Sequence, residues 1–381
     1  MRIALVKRRC SLRVGGSERY CVNLARRLQA RGHDVTVIGE QIDDELRSEL
    51  AFIPVRVNRL TSWTRNRSFA ENCGRAVRGA GFDLVYGLGR SFGLDAVRVT
   101  ERLQSHWLNV RYRNPMRRLL ERFNPRHRTL IGLERQIYRS GNVRRVVTQS
   151  RLDRRLVVEC YGVPEDKVRT IYNGVDTAVF HPGMRNDAAD VREELGFGPD
   201  EPLLVFASMD FEGKGLRSIL AAVARTRHRA ARLLVLGRGP VRRFARIADD
   251  LGIGRRVIFA GRRGDIQRFY GAGDLFLLPT AYEPFPNVNL EALACGLPVL
   301  TTTTAGGADL IVPGENGYLV SGLDAADEIA ACVDEHLSLP AAARQALSDR
   351  CWATARQWTI ERNVEETLDM FQEVLREKSR S

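Results

Sequence analysis

Short runs of consecutive apolar residues alternate along the whole chain with longer segments whose apolar positions recur at helical spacing. In the first half, "RIALV", "DVTVIG", "FIPVRV", "LVYGL" and "RVVTQS" read as strands. Between the first two, "GSERYCVNLARRLQARG" sets Val22, Leu24, Ala25 and Leu28 on one face and arginines on the other, which predicts an amphipathic helix. After residue 200 the pattern restarts with "LLVFAS", "RLLVLG", "VIFAG", "LFLLPT" and "PVLTT", each followed by a helix candidate. Strands that are apolar throughout and separated by helices belong to parallel sheets covered on both faces. Two such series predict an α/β protein with two doubly wound domains.

The boundary falls near "NGVDTAVFHPGMRNDAAD", residues 173–190, which is dense in Gly, Pro, Asn and Asp and has no periodicity. The last segment, "TIERNVEETLDMFQEVL", is helical by period, with Val364, Leu368, Phe371 and Leu375 on one stripe, and no strand follows it. The reading is a first domain over 1–172, a second over 173–355 and a terminal helix over 356–381.

Composition narrows the class. A chain of 381 residues exceeds one ordinary core, and 44% apolar content with a mean hydropathy of −0.25 describes a globular protein. No apolar run reaches the ~18 residues of a membrane span. "MRIALVKRRC" reads as a first strand rather than a leader. The seven cysteines are dispersed without C-x-x-C spacing, as expected of reduced thiols in a cytoplasmic protein, and predict neither a disulfide frame nor a metal site. Charge is uneven. Residues 1–175 hold 35 Lys and Arg against 17 Asp and Glu, a net of +18, while the remainder carries −5. The basic half is either a solvated surface or a face for an anionic partner: nucleic acid, a cytoplasmic leaflet or a phosphorylated lipid.

Three stretches carry chemistry. In "RVGGSERY", Gly15 and Gly16 open the first long helix, either as turn residues alone or as a place where a ligand approaches the backbone and an anion is favoured. The spacing is not G-x-G-x-x-G, so the nicotinamide fingerprint is absent. In "SMDFEGKGLRSIL", Lys214 stands between two glycines in a chain with only four lysines (Lys7, Lys167, Lys214, Lys378) among its 59 basic residues. A compact ammonium there suits a diphosphate, the alternative being a solvated lysine in a turn. In "AYEPFPNVNLEALACGLPVLTT", a buried strand ends at Pro279, and a helix is predicted from about Pro286 to Cys295 with Gly296 after it. The N–H groups of Phe285, Asn287 and Val288 are expected to point at an anion, with Glu291 suited to a ribose diol and Glu283 to hydroxyls at the other end of the ligand; an ordinary loop with a solvated Glu283 and a structural Glu291 is the alternative.

"EPFPNVNLEALACGLPVLTT" resembles the E-x7-E signature of retaining glycosyltransferases with two Rossmann-like domains and an interdomain cleft, the GT-B architecture, in glycosyltransferase family four. "GGSER", "IYNGVD", "FEGKGL", "LLVLGRGP", "VIFAGRR" and "AGGADLIVPGENGYLV" follow in that family's order over essentially the whole chain. "FEGKG" and "LERQIYRSG" are similar to lipopolysaccharide core glucosyltransferases.

The resemblance implies roles. Lys214 binds the donor diphosphate and Glu291 the ribose, while Glu283, helped by backbone amides from Phe285 through Pro286 to Asn287, holds the transferred sugar. The base lies near Arg238 and Arg263, and Gly15 and Gly16 close over the diphosphate. Relatives often carry an arginine five residues before the motif lysine, where this chain has Met209, so Lys214 neutralises the diphosphate with less help unless Arg217 or another cation substitutes. On the acceptor side, Glu101 and His106 in "TERLQSHW" are the alternatives, with Glu101 favoured as catalytic.

The expected reaction is a retaining, metal-independent transfer of a hexose from a nucleotide-sugar, UDP-glucose favoured, with no cofactor. The expected acceptor is lipopolysaccharide core or another anionic glycolipid, met at the inner face of the cytoplasmic membrane. Sixteen arginines between Arg98 and Arg155, against four acids, suit such a partner better than nucleic acid. A nucleotide-sugar epimerase of the same fold and a non-catalytic anionic-surface binder are the rival readings.

Overall fold

The structure is a computed structural model that describes residues 1–13, 15–198 and 201–380. The chain forms two compact units, Met1–Tyr172 with Glu361–Ser381, and Asn173–Ile360.

The first unit is built on seven parallel strands in the order Ala51–Pro54, Asp34–Gly39, Arg2–Val6, Leu84–Gly87, Ala96–Arg98, Arg145–Thr148, Val168–Thr170. Winding reverses between Arg2–Val6 and Leu84–Gly87, which makes the carboxyl ends of these two strands the switch point of the sheet. The helix Gly16–Ala30 buries Cys21 together with the predicted Val22, Leu24, Ala25 and Leu28.

Local chemistry trims the expected strands. "FIPVRV" pairs only as far as Pro54, on an edge strand where a residue without an N–H is tolerated. "RVVTQS" stops at Thr148, because Ser150 caps the helix Arg151–Tyr161, its Oγ accepting from Asp153 N at 3.1 Å. The strands Ala96–Arg98 and Val168–Thr170 are too short for periodicity to reveal, and Gly317–Val320 begins with a glycine that follows the turn-rich "PGEN", which hides it among turn signals.

The last helix, Ile360–Ser379, buries Asn363, Val364, Thr367, Met370, Phe371 and Val374. Its inner face is therefore rotated by about one position from the expected stripe, leaving Leu368 and Leu375 half-buried. Two polar side chains enter the interface because each is satisfied there. Asn363 Nδ2 donates to Tyr172 O, and Thr367 Oγ1 donates to Asn363 O at 2.7 Å. Phe371 meets Tyr86 edge-on, centroids 5.1 Å apart, and Arg169 reaches Glu373 at 2.6 Å.

The second unit has six parallel strands in the order Val257–Gly261, Arg232–Gly237, Leu203–Ser208, Leu275–Leu278, Val299–Thr302, Gly317–Val320, with the reversal between Leu203–Ser208 and Leu275–Leu278. The segment after Asn173, expected to be an irregular seam, is folded into this unit. It forms a 3-10 turn at Pro182–Asp187 and the helix Ala188–Glu194, and Arg185 Nη2 donates to Gly296 O at 2.9 Å. The turn before the last helix also belongs here, since Val175 N donates to Trp358 O at 2.9 Å.

Candidate active site

The turn after Leu203–Ser208 is folded by Asp210. Its N donates to Ser208 Oγ at 2.8 Å, its Oδ1 accepts from Gly213 N at 3.0 Å and its O from Lys214 N at 3.1 Å. Gly215 then caps the helix Leu216–Arg225 at φ +79°, where a β-carbon would stand 2.5 Å from Pro279 O. Both torsion and close approach require glycine there. Gly213 O accepts from Ala281 N and from Thr280 Oγ1, each at 3.2 Å, so the loops of the two switch-point strands are stitched together. Lys214 Nζ lies 2.7 Å from Glu283 Oε2, with the side chains 13% and 27% exposed.

Glu283 is fixed at its backbone as well. Its O accepts from Gly306 N at 2.8 Å, and it forms a parallel bridge with Ala305. The helix that follows runs Asn287–Ala294 with Pro286 as its cap, and Gly296, at φ +73°, turns the chain out of it. Phe285 is buried. Glu291 is half-buried one turn before Cys295, whose thiol is pushed up to about 12 by burial and by the Glu291 carboxylate. Asn287 Oδ1 accepts from Asn173 Nδ2 at 2.6 Å. Asn173 escaped the sequence reading, although it sits in the quoted "IYNGVD". Lys214, Glu283, Pro286, Asn287 and Glu291 thus gather at one switch point of one sheet.

The other second-unit candidates differ. Arg238 is exposed, with its N donating to Ser208 O at 3.2 Å. Arg263 is engaged by Glu194 at 2.7 Å and Asp265 at 3.2 Å and lies over the Phe269 ring, so its guanidinium has structural partners. Met209 is exposed, and Arg217, the suggested substitute cation, pairs loosely with Glu212 at 3.7 Å.

In the first unit, Gly15 caps the helix Gly16–Ala30, and a β-carbon there would stand 2.9 Å from Glu18 Oε2. Beneath it lies Lys7, another residue the reading missed. Lys7 is 4% exposed, donates to Ser17 Oγ at 3.0 Å and stands 3.9 Å from Glu18 Oε1. Burial lowers its pKa. The scarcity of lysine that singled out Lys214 pointed equally to Lys7.

Glu101 is ion-paired with Arg90, whose Nε also donates to Glu134 Oε1 at 2.9 Å. Glu134 is fully buried and accepts from Gln104 N at 3.0 Å and from the Tyr161 hydroxyl. The buried Glu134 thus fixes Arg90, and Arg90 holds the partly exposed Glu101 in place. His106 lies on the helix Gln104–Arg111, where burial lowers its pKa, and its neighbour Trp107 packs against the Arg102 guanidinium at 4.4 Å.

Residues 14–179 match the family model described as Glycosyltransferase Family 4, and residues 201–338 that described as Glycosyl transferases group 1. A probable transglycosylase of Burkholderia thailandensis is 30% identical over 301 residues, 78% of this chain and 77% of that one. The crystal structure of WaaG, a glycosyltransferase involved in lipopolysaccharide biosynthesis, superposes with a TM-score of 0.83 at 22% identity, covering 97% of this chain and 99% of that one. The chain is a GT-B glycosyltransferase.

This glycosyltransferase is also 26% identical over 314 residues to the lipopolysaccharide glucosyltransferase WaaG of Escherichia coli K12, covering 81% of this chain and 82% of that one. The fold recurs in Anabaena Alr3699/HepE in complex with UDP-glucose, with a TM-score of 0.73 at 20% identity over 97% of this chain and 100% of that one. Three further curated relatives, 31–36% identical, are spanned over only 41–50% of their length.

Proposed function

We propose that this glycosyltransferase moves a hexose, with UDP-glucose the favoured donor, to an anionic glycan acceptor of the lipopolysaccharide core type, with retention of configuration. The observation that carries the reading is the Lys214–Glu283 pair at the second-unit switch point, beside the amino end of the helix Asn287–Ala294 and one helical segment from Glu291. Lys214 and the positive end of that helix dipole supply positive charge for a leaving diphosphate, so the reaction needs no added cation. Glu291 accepts from ribose hydroxyls and Glu283 from sugar hydroxyls. With the acceptor attacking from the face the diphosphate leaves, a phosphate oxygen takes the acceptor proton. The relatives support the donor and acceptor classes through WaaG, named as a lipopolysaccharide glucosyltransferase, and HepE, bound to UDP-glucose.

The first unit supports an acceptor at a membrane surface. The helix Pro115–Arg122 has no buried residue, and Met116, Leu119, Leu120 and Phe123 are all at least half exposed beside Arg117, Arg118 and Arg122. Apolar and cationic side chains together favour the interface of an anionic leaflet. No helix among the described residues is long and apolar enough to cross a membrane.

The test is donor hydrolysis and thermal shift over UDP-, GDP- and ADP-sugars in EDTA, with Glu291→Ala as control. One stabilising donor, lost in the variant and indifferent to EDTA, is the expected result. No shift with any donor would sink the proposal, and conversion of the donor sugar without an acceptor would turn it into an epimerase.

A further inference from the structure

Asn289 stands inside the donor motif, in the first turn of the helix Asn287–Ala294, and is 2% exposed. Neither its Oδ1 nor its Nδ2 has a hydrogen-bond partner among the described residues. A buried carboxamide left in that state costs stability that a leucine of similar size would not. Such a group in a folded protein calls for an explanation, and a bound water or ligand that completes it is one.

Its surroundings are parts of the donor site. A β-carbon on Gly307 would stand 2.9 Å from Asn289 Nδ2 and 3.1 Å from the Pro286 ring, so the Gly306–Gly307 turn lies directly on the amide. Gly307 is not among the positive-φ glycines, so close approach rather than torsion calls for glycine. The same turn carries Glu283: Gly306 N donates to Glu283 O at 2.8 Å, and the Glu283 carboxylate then meets Lys214 at 2.7 Å. Asn289 is thus two contacts from the carboxylate assigned to the transferred sugar.

The chemistry of the orphaned group selects its partner. A carboxamide offers a donor and an acceptor side by side. Phosphate would satisfy Nδ2 alone and leave Oδ1 unpaired. A hydroxyl satisfies both, and at 2% exposure one water is the bridge that reaches it. We propose that Asn289 is a specificity-determining residue of the donor site, recognising a hydroxyl of the transferred sugar through one water under the Gly306–Gly307 turn. The inference rests on the nucleotide-sugar reading above.

The experiment compares wild type, Asn289→Leu and Gly307→Ala by calorimetric titration with UDP and with UDP-glucose, alongside melting temperatures without ligand. Asn289→Leu is expected to melt at or above the wild-type temperature, to bind UDP as wild type does, and to lose about tenfold of its affinity for UDP-glucose relative to UDP. Gly307→Ala leaves Asn289 in place but presses a methyl on its amide, and is expected to show the same selective loss. It also covers the case in which the leucine variant fails to fold. A UDP-glucose to UDP ratio that stays at the wild-type value in both variants overturns the inference and leaves the donor reading standing. A wild-type protein that binds neither probe ends the donor reading, and the inference with it.

Discussion

Lys214 Nζ and Glu283 Oε2 lie 2.7 Å apart although 69 positions separate the residues in sequence. The pairing follows from topology: the strands Leu203–Ser208 and Leu275–Leu278 are neighbours at the point where the sheet reverses its winding, so the loops leaving them face each other. Each charge gives the other a partner in a half-covered site.

Lys214→Ala is expected to weaken UDP binding by about 10- to 100-fold, the equivalent of about 1.5–3 kcal/mol for a charge-assisted hydrogen bond. Lys214→Arg should recover little of this, because a planar guanidinium does not fit where a compact ammonium sits between Gly213 and Gly215. Calorimetric titration decides it, and wild-type affinity in the arginine variant would remove the argument for an ammonium.

Asn173→Ala removes the 2.6 Å donation to Asn287 and leaves an amide oxygen at the start of the helix Asn287–Ala294 without that bond. A loss of about 1–2 kcal/mol in urea unfolding is expected, together with weaker donor binding. A stability loss with donor affinity unchanged would show that Asn173 serves the fold alone.

Glu134 and Glu101 should separate cleanly. Glu134→Ala strips Arg90, whose side chain is 13% exposed, of its buried partner and is expected to cost about 2–3 kcal/mol in urea unfolding. The Glu101 side chain is 45% exposed, so Glu101→Ala should cost less than about 1 kcal/mol while reducing transfer to the acceptor and sparing donor hydrolysis. Transfer unaffected in Glu101→Ala would move the acceptor-side role to His106.

His336 makes stability depend on pH. It is 1% exposed, its Nε2 donates to Asp274 O at 2.9 Å, and burial lowers its pKa to about 4 against the pull of Asp274. The unfolded chain protonates near 6.5, so between these values it binds more protons than the folded one. The contribution is complete above about pH 6.5 and is lost as pH falls toward 4, a total of about 3 kcal/mol. Asn or Gln at 336 should flatten the stability–pH slope across that window. Parallel slopes for His336→Gln and wild type would contradict the burial argument.

Replacing Leu119, Leu120 and Phe123 together by serine should leave the melting temperature unchanged, since none is buried, and should reduce sedimentation with phosphatidylglycerol vesicles several-fold. Equal sedimentation of variant and wild type would remove this helix from the membrane proposal.

Much of this was legible in the chain. Continuous apolar strands such as "LLVFAS" and "DLFLLP" announced parallel sheets, because a strand buried on both faces has no polar positions to alternate with. Glu283, Glu291 and Lys214 stood out because charge beside a buried strand end, or a lone lysine among arginines, demands a reason. Gly215 and Gly296 carried their turns in their identity, and both adopt the left-handed conformation their places require. The unread parts are those whose meaning depends on another segment. Lys7 looks like one more cation until the helix Gly16–Ala30 closes over it, and Arg90 means nothing until Glu134 and Glu101 meet it from two sides. Asn173 and Asn287 are 114 positions apart, and Asn289 passes for an ordinary polar helix residue. By itself the sequence determined the alternation of strands and helices, the sharp turns and the chemical types along the E-x7-E segment, since all of these depend on residues within a few positions of each other. Tertiary structure alone decided which charges pair, which polar groups lose water and which face of the last helix is inward, because burial and long-range contact exist only once the sheet has brought distant loops to one edge.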